Sequence, residues 1–456
     1  MLNYIWLGLI LAAAIVGGLT GHLPEVTTGA FNTAKSAVME IALPLAGIMA
    51  IWLGMMRLAE QSGFVQVLAR VLKPLMCRLF PDVPADHPAM GSMVMNMAAN
   101  MLGLGNAATP LGLRAMSDLE KLNPRPGVAT NAMCTFLAIN TSSIQLIPTT
   151  VIGILAVSGS LNPTAIVSTS FLATLCAATA AIIAVKFLEK LPAFRLDPLT
   201  APLAEKAAVE SESRPVLEVE KVSVPELSFG KKCFLFLYLA LFAIIFGMLV
   251  APDAANHLLG YVGNFTVAPL SPEMMGKGLV IRALSALSTV AIPLMLSFFP
   301  LYAAMRGVKV YEQFVEGAKE AIPTVLRIIP FLVAMLVAVG MFRTSGCMDI
   351  LAKLLSPALK IIHLPVDVLP IVLMRPLSGG ATLGLFTDLV KRFGPDHFNS
   401  LLGATIFGST ETTFYVLTVY FGSVAVRKTR HAVLAGLIAD AVGVIASIII
   451  CTLRFG

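Results

Sequence analysis

Long apolar stretches alternate with short polar breaks along the whole chain. Runs long enough to cross a bilayer, about 20 residues each, cover 2–19, 37–58, 164–188, 233–250, 277–302, 321–342 and 431–453. The first lacks a basic leading segment, and no small-x-small cleavage pattern follows it, so it reads as a retained span. Two further segments, 127–157 and 399–426, are apolar at both ends but broken near the middle by hydroxyl clusters. They are predicted to be discontinuous spans. Segments 88–116 and 366–390 hold Pro, Gly and Asn too densely to cross as helices and fit re-entrant hairpins. Irregular backbone at that depth needs protein or a watery cavity around it. The expected fold is an all-α polytopic membrane protein with nine spans and two hairpins.

The pattern is written twice. Asn-Met-Leu-Gly-Leu-Gly-Asn-Ala-Ala-Thr-Pro, from Asn100 to Pro110, is followed by Asn-Thr-Ser-Ser from Asn140 to Ser143. Arg-Pro-Leu-Ser-Gly-Gly-Ala-Thr, from Arg375 to Thr382, is followed by Ser-Thr-Glu-Thr-Thr from Ser409 to Thr413. Ser62-Gly63 through Pro74 matches Ser345-Gly346 through Pro357 at one constant offset, and Asp118-Leu119 through Pro124 matches Asp388-Leu389 through Pro395. Shared order and spacing predict a duplication. The halves are 1–189 and 231–456, joined by a soluble Glu-, Lys-, Ser- and Pro-rich linker over 190–230.

Composition agrees: 57% hydrophobic residues, 13% charged and a mean hydropathy of +0.85 exceed what a soluble core buries. The net charge of +6 reflects basic loops, which speak to orientation and not to nucleic acid. A cytoplasmic linker places the loops around Arg306, Lys309 and Lys319, around Arg427, Lys428 and Arg430, and those carrying Arg70, Lys73, Arg78, Arg114, Lys121 and Arg125 on the same side. The N-terminus is then cytoplasmic and the C-terminus external. The first spans of the two repeats run in opposite senses, so the repeats are inverted and their hairpins enter from opposite faces, as in alternating-access carriers. The six cysteines show no CxxC or metal-ligand spacing, and the six histidines no pairing. There is no Walker motif, and Gly-Leu-Gly-Asn lacks a nucleotide-binding context. Nothing predicts an enzyme or a bound cofactor. The alternate methionines Met90, Met93, Met95, Met97 and Met101 read as apolar filling ahead of a soft-metal site.

The Asn100–Pro110 motif resembles the signature of the spore maturation A family. Arg-Pro-Leu-Ser-Gly, Gly-Ser-Thr-Glu-Thr-Thr-Phe-Tyr and Val-Tyr-Phe-Gly-Ser-Val resemble those of the B family, here fused head to tail. The resemblance covers nearly all of 1–190 and 231–456. It implies a member of the nucleoside-recognition, or gate-domain, group, similar in that domain to concentrative nucleoside transporters, in a bacterial inner membrane. It does not imply a substrate, because a fold does not fix a function.

The candidate chemistry lies at the breaks, where freed backbone groups and uncharged polar side chains can bind a solute. In the first half these are Asn100, Asn106, Thr109, Asn140, Thr141, Ser142, Ser143 and Gln145; in the second, Arg375, Ser378, Thr382, Ser409, Thr410, Glu411, Thr412, Thr413 and Tyr415. Each can also serve as helix-to-helix glue. Glu411 is the sharpest candidate, because a charge near the bilayer centre costs roughly 2.5–3.5 kcal/mol on insertion scales and must be compensated. Asp440, in the last span, attracts the same argument, and both are candidates for coupling or proton relay. Arg375 can face an anionic solute or balance those acids. The expected function is ion-coupled secondary transport of a small polar solute, nucleoside-like or an organic acid, driven by sodium or protons. The competing class is a non-transporting scaffold or receptor in spore or envelope maturation. Carriers of this shape commonly form homo-oligomers.

Overall fold

Two long helical rods, one from each half, frame the molecule. The computed structural model describes residues 2–103, 105–195, 227–252, 278–347 and 362–456, with isolated positions 255, 256, 350, 353 and 359. Most of the linker lies outside the described residues. After α1 (Leu2–Thr20), α2 (Leu23–Ser36) passes through a π-helical turn, Ala37–Ala42, into α3 (Leu43–Gln61). The turn widens just before Pro44, which has no N–H to give to the carbonyl four residues back. The rod is 39 residues long, whereas hydropathy alone marks only 37–58. Glu25, Asn32, Lys35 and the threonines of α2 lower its hydropathy without lowering its helicity. Its counterpart is α12 (Val310–Lys319) running into α13 (Ala321–Thr344). The rods are antiparallel: Gly29 meets Thr344, Thr33 meets Gly340, Gly54 meets Phe314, and Gly317 meets Leu53 and Arg57.

Each half continues in the same order. The first holds α4 (Phe64–Leu79), the helical hairpin α5 (Pro88–Met101) and α6 (Gly105–Lys121), the broken pair α7 (Asn131–Ser142) and α8 (Thr149–Val157), and α9 (Ile166–Leu188). Two helices follow, α10 (Phe229–Val250), which buries no residue, and α11 (Leu279–Met305), which packs between it and the rest. The second half repeats a hairpin, α14 (Leu369–Met374) and α15 (Gly379–Phe393), a broken pair, α16 (Phe398–Ser409) and α17 (Thr413–Ser423), and a final span, α18 (Ala432–Phe455). Both predicted breaks and both predicted hairpins are therefore present. The stretches read as basic loops contain the amphipathic helices α4 and α12, and α10 begins at Phe229, so Lys231 and Lys232 lie in its first turn. Among the described residues, five helices are long and apolar enough to cross a membrane. The chain is a multi-pass membrane protein.

Local geometry repeats where the sequence repeats. Ser62 and Ser345 each donate a side-chain hydrogen bond to the carbonyl three residues back, 3.1 and 2.9 Å. Gly63 and Gly346, which follow them, both take positive φ, 74° and 82°, a conformation glycine adopts without a Cβ penalty. The matched aspartates tie down the two hairpins: Asp118 accepts from Ser92 at 2.7 Å and Lys121 at 2.8 Å, while Asp388 pairs with Arg343 and Arg392.

The repeats are inverted. In the centre, α9 and α18 lie antiparallel: Arg454 reaches Ser168, Gly443 faces Ala177, and the His431 ring stands 5.8 Å from that of Phe194. The base of the first hairpin sits at the α9 C-terminal end, where the loop after α6 pairs with Lys428 through Ala129, and Arg430 donates to Phe194 and Ala129. The base of the second sits at the opposite end, where Asp396 accepts from Ser160 and Leu161. Two apolar cores follow from this, one around Met90, Met93, Met116 and Phe136, the other around Phe386, Leu402 and Ile154. Of the hairpin methionines, Met90, Met93 and Met97 are buried in the first core and Met95 packs against it.

His431 opens α18 with its ring fully buried, and neither ring nitrogen has a hydrogen-bond partner among the described residues.

Candidate functional site

The breaks meet near the midpoint of α9 and α18, each hairpin tip bonds to the break of its own half, and the backbone groups freed there satisfy one another. Leu146 N–H, just past the first break, donates to the Met101 carbonyl on the first tip at 3.0 Å; Phe414 N–H, just past the second, donates to Pro376 on the second tip at 3.0 Å. Glu411 N–H donates to Thr141 across the two breaks at 2.7 Å. Thr174, halfway along α9, donates to the carbonyls of Ser142 and Ser143 at 2.7 and 2.9 Å. Unpaired peptide groups cannot persist in hydrocarbon, so this mutual satisfaction permits helices to stop inside the membrane. Ser143 takes φ 39° to end α7. Ser378 caps α15, its hydroxyl accepting from Ala381 N–H at 3.2 Å.

A cavity of about 220 Å³ opens where these parts converge, lined by Asn100, Thr109, Asn140, Gln145, Glu411 and Tyr415 among others. Six predicted residues thus share one space. Asn100 Nδ2 donates to Asn140 Oδ1 at 2.8 Å, and Asn140 Nδ2 to the Phe136 carbonyl at 2.9 Å, which fixes both amides. The Glu411 side chain is 38% exposed, toward this space. Several other predicted residues bond the scaffold. Thr141, Ser142, Thr382 and Ser409 turn their hydroxyls back onto carbonyls of their own helices or caps. Thr410 gives its carbonyl to the Arg375 guanidinium. Thr412 is buried, and its hydroxyl has no partner among the described residues. The side chain of Asn106 lies outside the described residues.

Arg375 and Asp440 stand behind the cavity wall. Arg375 is buried, its guanidinium 4.3 Å from the Phe407 ring centroid and 3.8 Å from Glu411. With the Thr410 carbonyl as acceptor, it ties the second tip to the second break. Asp440 is buried on α18; its Oδ2 accepts from Thr413 Oγ1 at 2.5 Å, and Oδ1 has no partner among the described residues.

Three contributors were not singled out from sequence. Asn96 is fully buried, donates to the Ala108 carbonyl at 2.7 Å and reaches Tyr420 at 3.4 Å. Tyr420 lines the cavity and stacks on Phe136, 6.0 Å between centroids. Gly112 makes room for it, because a Cβ there would fall 2.2 Å from the tyrosine hydroxyl. The i, i+4 spacing of Asn96 and Asn100 on one helix face was the available signal.

Fold and site together define an inverted-repeat helical membrane protein with a polar cavity between its first re-entrant tip and its two helix breaks. The chain belongs to the Gate family, described as nucleoside recognition, whose family model matches residues 42–191 and 325–427. It is 50% identical over 170 residues to spore maturation protein B of Bacillus subtilis (strain 168), covering 96% of that protein and 37% of this chain. It is 46% identical over 183 residues to spore maturation protein A of the same organism, covering 93% of that protein and 40% of this chain. The crystal structure of the Alcanivorax borkumensis YdaH transporter aligns with 100% of this chain and 97% of its own at 14% identity and a TM-score of 0.40.

Proposed function

We propose that this protein is a secondary transporter that moves a small polar, nucleoside-like solute across a bacterial inner membrane, coupled to sodium or protons. The observation that carries the reading is the convergence of the first tip and both inverted breaks on one cavity with a carboxylate in its wall. Half-helix ends from inverted repeats, meeting at depth, let a site open alternately to either side. A hydrogen-bond-donating solute suits the cavity better than an organic acid. Glu411 presents a carboxylate there, whereas Arg375 stands behind the wall, 3.8 Å from Glu411 and donating to the Thr410 carbonyl. Asn100, Asn140, Gln145 and Thr109 would bind hydroxyls and amides of the solute, and Glu411 and Asp440 would carry the coupling charge. The end holding Arg125, Arg427, Lys428 and Arg430 would face the cytoplasm with the N-terminus, and the C-terminus would be external.

The names of the two spore maturation relatives favour a second reading, a membrane scaffold or receptor that binds the same solute without moving it. Flux separates the two. Purified protein in liposomes, offered labelled uridine and a panel of amine- and hydroxyl-bearing solutes, is expected to show saturable uptake that an imposed sodium or proton gradient increases. Asp440→Asn keeps an acceptor for Thr413 but removes the charge; it is expected to retain exchange without a gradient and to lose gradient-driven accumulation by at least about tenfold, equivalent to about 1.4 kcal/mol. Ligand-dependent thermal stabilisation without flux decides for the receptor.

A further inference from the structure

A second cavity, of about 370 Å³, has an almost wholly apolar lining. One wall is Leu239 of α10 with Met295, Phe298 and Phe299 of α11. The other is made of Met101 and Leu102 at the first hairpin tip and Leu146 and Ile147 at the first break. These are the immediate chain neighbours of Asn100, Gly103 and Gln145, which line the polar cavity. The two spaces therefore lie on either side of the first tip and break, which the backbone hydrogen bond from Leu146 to Met101 ties together. Among its described side chains α10 buries none and exposes Phe234, Phe236, Leu237, Leu241 and Ile244, so the apolar cavity lies on the lipid side of the polar one. Its volume falls in the range of small-molecule sites.

We propose that the ligand is an amphiphile, with an amine- or hydroxyl-bearing head at Glu411 and a single apolar tail among Leu239, Met295, Phe298 and Phe299. The inference rests on the polar cavity being the solute site, and it names the class of solute. An ammonium or hydroxyl donates to the Glu411 carboxylate and the amide oxygens of Asn100, Asn140 and Gln145. A tail on that head reaches the neighbouring space past the tip. A solute whose polar head also carries an apolar tail fills both spaces.

Primary alkylammonium ions test this on the full chain in nanodiscs, with free ligand fixed by dialysis and affinity read by titration calorimetry. Burying one methylene is worth about fourfold in affinity, so octylammonium is expected to bind at least about tenfold tighter than ethylammonium. Met295→Trp fills the apolar cavity and is expected to remove that gain in a protein that melts like the wild type; Leu239→Trp repeats the test from the other helix. Glu411→Gln weakens both ligands. Equal affinity for the two ions, or a gain that survives both tryptophans, overturns the amphiphile. If ethylammonium binds in a Glu411-dependent way without any chain-length gain, the amphiphile fails and the polar site stands. If neither ion binds, both fail.

Discussion

Glu411→Gln is expected to weaken solute binding and slow flux between about tenfold and about a hundredfold while leaving the fold intact. A hydrogen bond to an ionised group contributes about 1.5–3 kcal/mol, and that range converts to the expected loss. The amide is isosteric, and the bond that anchors residue 411 in the fold comes from its backbone N–H to Thr141, so the break keeps its geometry. Arg375 loses a charge 3.8 Å away but keeps the Thr410 carbonyl and the Phe407 ring. The melting temperature without ligand should therefore shift by only a few degrees. Affinity and uptake rate measured on one preparation separate the site from the scaffold. Unchanged affinity in Glu411→Gln would remove this carboxylate from the site.

What sequence made legible was the interruption of helices; what it concealed was the use to which each polar atom is put. Asn100–Pro110 and Arg375–Thr382 announced the tips, and Asn140–Ser143 and Ser409–Thr413 the breaks, because polar residues clustered within an apolar run pay a desolvation cost that only a break or a wet cavity relieves. The helices α2, α4 and α12 escaped because they are amphipathic: averaged over a window, Leu23–Ser36 reads as a polar loop, although its small residues pack closely on α13. Within the clusters, residues adjacent in sequence divide by direction. Asn140 and Gln145 line the cavity, while Thr141 and Ser142 between them bond their own helix. A helix that ends at residue 142 turns its neighbours to different sides, and no composition reports that turn. Arg375 illustrates the same limit. Sequence allowed it to hold an anionic solute or to balance the acids, and its geometry makes it a strut between tip and break.

The inverted architecture itself rests on how closely the two rods approach, and Gly317→Leu is expected to abolish it. A Cβ at Gly317 would lie 2.6 Å from the Leu53 carbonyl oxygen and 3.0 Å from the Gly54 Cα, while one at Gly54 would lie 2.9 Å from the Phe314 carbonyl. These obstacles are backbone atoms, which cannot rotate away, so any side chain at 317 must push α12 off α3. Helices in a membrane gain little from burying apolar surface against each other and depend on this closeness of small residues. Overpacking in a tight core costs typically about 1–3 kcal/mol, and more where nothing can yield. Gly317→Ala should lower the melting temperature, and Gly317→Leu should leave little monodisperse protein on size-exclusion chromatography. Gly247→Leu is the control, since a Cβ at that position on α10 meets nothing within 4 Å. Gly317→Leu protein that purifies and melts like the wild type would mean that the rods do not cross at Gly54 and Gly317. The antiparallel frame that sets the two tips against each other would then lose its main support.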